Sequence, residues 1–195
     1  MAGSVSIPTT WREAERAMID FNLIKTRDPE TGCVNVVVDT PKGSRNKFKF
    51  DEHMGFFRLS RILPVGMAFP FDFGSVPGTR AEDGDPLDVL VVTDVPSFCG
   101  CLMTVRLLGV LRAQQHQAGD MIRNDRLIAA PVTSVNDPQA RDIHDLPPQT
   151  LVEISSFFVN YNRVHGREFV PDGWHGRDAA EVVLESAIQN FTDSR

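Results

Sequence analysis

The chain has 195 residues, 42% of them hydrophobic and 24% charged, which suffices for one substantial core and is tight for two. Its formal net charge of −6, from 20 basic and 26 acidic residues, argues against a general nucleic-acid or anionic-membrane surface and leaves room for a local cation site. Three cysteines, Cys33, Cys99 and Cys101, do not make a disulfide framework and no apolar run approaches a membrane span, so a cytoplasmic setting is expected, with no membrane and no nucleic acid as partner.

In chain order, TTWREAERAMIDFNL opens with Thr10 and Glu13 at capping-box spacing and puts Ala14, Ala17 and Met18 on one face, which predicts a helix in an N-terminal extension over residues 1–32. Residues 33–195 read as the main domain. Strands are expected at Val34 to Asp39, Lys47 to Phe50, Phe56 to Leu63, Leu87 to Thr93, Leu102 to Leu111 and Leu127 to Val132, separated by turn clusters such as TPKGSRN and VPGTRAEDG. Their spacing points to a small barrel. Pro147 and Pro148 then open a helix with Leu151, Ile154, Phe157, Phe158 and Tyr161 at helical spacing, stopped by Gly166. Asp178 and Glu181 are placed to cap a last helix whose buried stripe is Val183, Leu184, Ala187, Ile188 and Phe191.

One stretch between strands carries chemistry. EDGDPLDVLV, Glu82 to Val91, sets four carboxylates within seven residues and runs into a core strand. Asp83, Gly84, Asp85 and Pro86 read as a turn, and Asp88 starts the strand. Carboxylates this close repel one another and raise one another's pKa unless a cation sits between them, and hard divalent ions take oxygen ligands of this kind. A solvated acidic turn is the plainer alternative. No Walker loop, G-x-S-x-G elbow or H-E-x-x-H motif occurs, and the five histidines are scattered.

AEDGDPLDVLVV, with DTPKGSRNKFKFDEHMGFFRLSRIL and FPFDFGSVP, resembles the family I soluble inorganic pyrophosphatases, whose signature is the D-x-D-P-x-D run. The resemblance spans Val34 to Phe191. It implies a mainly β fold with α, a five-stranded OB-like barrel flanked by helices, in which Mg2+ and an activated water hydrolyse pyrophosphate, and it implies a homo-oligomer, a hexamer by analogy with bacterial-length members. By resemblance Asp83 and Asp88 match metal ligands, and Asp85 matches the catalytic carboxylate that also serves the metals. Lys47, Arg61, Arg126 and Tyr161 match phosphate-binding positions, with Arg126 standing where the family has Lys.

Several positions depart from the family. Gln115 and Asn124 stand where two metal-binding aspartates are usual, and Asp120 or Asp125 would replace one of them only after a register shift. Lys49 takes the place of a site glutamate on the same strand face as Lys47, and either enters the site or swings to solvent. Phe69 and Phe73 replace tyrosines, Asp72 an asparagine, Asn162 a lysine and Asp39 a glutamate. Magnesium-dependent hydrolysis of pyrophosphate is the expected function. The alternatives are a degenerate pyrophosphatase-like binding or assembly protein, and a phosphohydrolase with a changed substrate.

Overall fold

The computed structural model describes residues 21–51, 53–117, 119–133 and 140–194. Most of the helix expected over residues 9–23 lies outside them; the described end, Phe21–Leu23, is a turn of 3-10 helix. Among the described residues nine strands and two α-helices follow in chain order: β1 (Val34–Thr40), β2 (Asn46–Asp51), β3 (Phe56–Ile62), β4 (Asp72–Ser75), β5 (Asp88–Val91), β6 (Leu102–Gln117), β7 (Asp120–Arg123), β8 (Arg126–Pro131), α1 (Pro148–Arg163), β9 (Phe169–Gly176) and α2 (Arg177–Asp193). No helix among the described residues is long and apolar enough to cross a membrane.

Strand pairings run from β1 to β4, β5, β8 and β6, and β6 pairs back to β1, so five strands make a ring with OB-like connections. Only the β5 to β8 pairing is parallel. β2 and β3 were expected among the barrel strands. Instead they form a separate two-stranded hairpin, and a barrel place is taken by β4, part of the FPFDFGSVP stretch, where no strand is expected from the sequence. The reason is Gly74: a Cβ there would lie 2.3 Å from the Val37 carbonyl oxygen, so a glycine that reads as a turn residue is what lets β4 approach β1.

Both faces of the ring are buried. Along β5, Val89 and Val91 pack with Ala180, Leu184 and Ala187 of α2, while Leu90 packs with Ile154, Phe157 and Phe158 of α1. This explains why the strand reads as an unbroken apolar run rather than an alternating one. Pro147 and Pro148 open α1 as expected, Pro148 being its first helical residue. α2 departs from expectation at its start. Neither Asp178 nor Glu181 caps it; Gly176 is the N-cap and makes no side-chain bond, and the Asp142 carboxylate accepts from the Arg177 N–H at 2.9 Å. A cap supplied from across the fold leaves no mark in local spacing.

Candidate active site

The β2–β3 hairpin stands over the barrel and encloses a cleft of about 700 Å³. Lys47 and Lys49 line it from β2, whose alternation sends residues i and i+2 to one face. Asp39 from β1, Ser75 from β4, and Asp85 and Asp88 around the entry to β5 line it from the barrel, as does Arg80. The turn over Asp83 to Pro86 is tightened by Gly84 at φ 87° and by the Asp85 N–H donating to Asp83 Oδ1 at 3.2 Å.

The charges are arranged in pairs. Lys49 Nζ donates to both oxygens of Asp85, each at 2.8 Å, so it turns into the cleft rather than to solvent. The two side chains are 54% and 57% exposed, and an ion pair that wet contributes about 1 kcal/mol or less, so it can open and re-form. Burial lowers the Lys49 pKa, but Asp85, followed by Asp88 and Asp83, outweighs it and leaves the ammonium above its ordinary range. Arg126 is held harder. It is buried, with Nη1 2.7 Å from Asp88 Oδ2, and its guanidinium lies 5.5 Å from the Phe158 ring centroid and 5.8 Å from that of Phe169. The same nitrogen donates to Asn124 Oδ1, and Asn124 Nδ2 donates to Gln115 Oε1 at 3.2 Å. Gln115 and Asn124, where the resemblance implies carboxylates, are thus a neutral amide pair that braces an arginine.

Asp39 is the exception. It is 7% exposed, its Oδ1 has no hydrogen-bond partner among the described residues, and its side chain bonds to Ser75. Burial, reinforced by the charge of Asp88, pushes its carboxyl up to about 8. Asp83 is raised as well, first by burial and then by Asp88. Lys47 makes no ion pair among the described residues; its ammonium lies 5.1 Å from the Phe73 ring centroid and 5.3 Å from that of Tyr161.

The expected site residues therefore separate. Asp85, Asp88 and Lys47 line the cleft, with Asp83 in the adjoining turn. Among the described residues no group of three His, Cys, Asp or Glu side chains stands ready to hold an ion, and Asp85 and Asp88 each face a cation that an incoming ion would displace. Arg126 and Tyr161 do not line the cleft. Arg126 is spent on Asp88 and Asn124, and the Tyr161 ring lies in the aromatic core with Phe69 and Phe157. Arg61 pairs across from Lys47 on β3 and is also outside the lining. Asp125 fills no vacant carboxylate position, since it accepts from the Ala113 N–H and from Arg123, and Asp120 is exposed at the β6–β7 turn. Phe69 and Phe73 are core residues, Asp72 accepts from the Lys42 and Ser97 N–H groups, and Asn162 bonds back to Phe158 within α1. Ser75 and Arg80 had been missed; each sits in a turn-like stretch where nothing in the sequence marks a cleft.

Oxygen donors with unbalanced charge are what a hard divalent cation requires. The Asp39 oxygen without a partner among the described residues, and the raising of both Asp39 and Asp83 by burial and then by Asp88, fit such an ion.

The sequence model of the family described as inorganic pyrophosphatase matches residues 36–192. The inorganic pyrophosphatase of Streptomyces coelicolor is 39% identical over 160 residues, covering 82% of this chain and 96% of that protein. That of Synechocystis is 35% identical over 163 residues, covering 84% and 94%. The crystal structure of inorganic pyrophosphatase from Thermus thermophilus superposes with a TM-score of 0.82 at 30% identity, covering 89% of this chain and 99% of that one.

Proposed function

The chain belongs to the inorganic pyrophosphatase family, and on that premise we propose that it hydrolyses pyrophosphate to two phosphates in a magnesium-dependent reaction. The observation that carries the reading is the cleft itself, where Lys47, with no ion pair among the described residues, faces Asp39, Asp85 and Asp88. Lys47, with Arg80 also at the lining, binds phosphate oxygens, and Arg61, across from Lys47 on β3 and outside the lining, adds to the positive field there. Asp83, Asp88 and Asp39 would hold the ions. Bound magnesium supplies neutralisation of the phosphate oxygens and a more acidic water. Asp85 orients the attacking water and takes its proton; the water oxygen forms a bond to one phosphorus, the bridging P–O bond breaks, and the second phosphate leaves with the electron pair. Arg126 positions Asp88 rather than touching substrate, and Tyr161 positions Lys47 through its ring face.

A second reading has a specific observation behind it. Lys49 occupies Asp85, and Gln115 with Asn124 replaces two carboxylates, which favours a binding protein without turnover. Phosphate release from pyrophosphate, a nucleoside triphosphate and a phosphomonoester, each with magnesium, separates the readings. Release from pyrophosphate alone is expected; release only from another compound means a changed substrate, and pyrophosphate binding without release means a degenerate site. We further propose a cytoplasmic homo-oligomer, a hexamer. The three free cysteines support a reducing compartment, and the exposed Phe56, Leu59, Ile62 and Val65 on and beside the hairpin support a subunit contact.

A further inference from the structure

We infer that Lys49 is a built-in cation of this cleft: its ammonium stands beside Asp85 in place of a divalent ion and transfers to the phosphate oxygens when substrate enters. The inference rests on the pyrophosphatase reading for the identity of the anion, but not for the competition with metal.

Three observations lead there. The ammonium contacts both Asp85 oxygens at 2.8 Å, so a cation that used Asp85 would have to displace it. The pair is exposed on both sides, 54% and 57%, so displacement is inexpensive and the lysine is a movable charge rather than a fixed strut. Its strand neighbour Lys47 lines the same cleft, so the two ammonium groups offer phosphate oxygens a pair of donors from one face of β2. The rest of the cleft agrees with this distribution of charge. Asp88 is already balanced by Arg126, and the amide pair of Gln115 and Asn124 adds no negative charge behind it. A cleft whose Asp85 and Asp88 are each already paired with a cation, and which has two fewer carboxylates than the resemblance implies, has less to offer metal and more to offer anion. Lys49 therefore sets how many divalent ions accompany the substrate.

A positive charge about 5 Å from a divalent ion in a water-like dielectric weakens its binding about tenfold. The test is a pair of calorimetric titrations of the full chain, one with magnesium chloride alone and one with inorganic phosphate alone, on the unmodified protein, Lys49→Gln, Lys49→Glu and Lys49→Arg. Lys49→Gln is expected to bind magnesium about tenfold more tightly and phosphate more weakly. Lys49→Glu should go further or add one ion, and Lys49→Arg should behave as the unmodified protein. Opposite shifts for cation and anion, with rescue by arginine, are what a structural role would not produce. Unchanged magnesium and phosphate binding in Lys49→Gln overturns the inference, and so does a shift of both in one direction. If Lys49→Glu does not fold, Lys49→Gln decides alone, because its neutral side chain leaves the exposed strand position otherwise intact. Neither titration needs turnover. Opposite shifts in a chain that releases no phosphate from pyrophosphate would keep the inference and sink the proposed function; turnover without such shifts would do the reverse.

Discussion

Asp85 and Asp39 are two carboxylates of one cleft in opposite situations. Asp85 is exposed and pairs with an ammonium, so its replacement should spare the fold and touch only the chemistry. Asp85→Asn keeps shape but cannot take a proton; hydrolysis should fall by roughly two to four orders of magnitude with an unchanged circular dichroism spectrum. An equal rate would remove Asp85 from the mechanism. Asp39 acts on stability. Its folded pKa of about 8 lies above the ordinary 3.8, so the folded protein holds a proton there that the unfolded chain has lost, and stability falls as pH rises from about 4 to about 8. Without magnesium, Asp39→Asn should flatten that decline in melting temperature while leaving pH 4 nearly unchanged; parallel curves for the two proteins would contradict the assignment. Asp85 is readable from the D-x-D-P-x-D run, and Asp39 only through the resemblance, where it stands for a glutamate. Ser75 and Arg80 are not, because a residue becomes a cleft residue only when elements distant in sequence meet.

Among the elements, β6 organises the fold, since β1, β7, β8 and β9 all pair with it. That crowding is possible at Gly109, where a Cβ would lie 2.4 Å from the His175 carbonyl oxygen on β9 and 2.7 Å from Ile143 Cβ. Backbone on one side and a fully buried side chain on the other cannot both yield. Gly109→Ala should therefore destabilise by about 1–3 kcal/mol, read as a lowered urea midpoint, whereas Gly32→Ala meets no atom within 4 Å and reports only the strain of its φ of 69°. An unaltered midpoint for Gly109→Ala would mean that β9 does not pack as described. Apolar periodicity revealed the helices and the long buried strands. It did not reveal β4, β7 or β9: Asp72–Ser75 and Phe169–Gly176 carry the Gly and Pro of turns, and Asp120–Arg123 is a four-residue strand ordered by its pairing with β6. The hairpin of β2 and β3 shows the complementary limit, because strand pattern alone does not say which sheet a strand joins.

For the molecule as a whole, exposed apolar surface bears on assembly and the balance of charge on activity. Exposed apolar side chains on the hairpin and at Val95, Phe98 and Leu102 are more than a lone domain needs to show, and an oligomer is expected by light scattering at micromolar concentration. A monomer mass would reject the assembly. The barrel, its two helices and the acidic turn were legible because local pattern and motif order agree with the fold; the pairing of Lys49 with Asp85 and of Arg126 with Asp88 was not, because ion pairs form across elements 36 and 38 positions apart in the chain. Magnesium-dependent hydrolysis of pyrophosphate is tested most directly by the initial rate of phosphate release from pyrophosphate by the full chain as magnesium is raised from zero and then removed by chelator. The rate should climb with magnesium, saturate, and vanish on chelation; no release above buffer at any magnesium concentration would overturn the proposed activity.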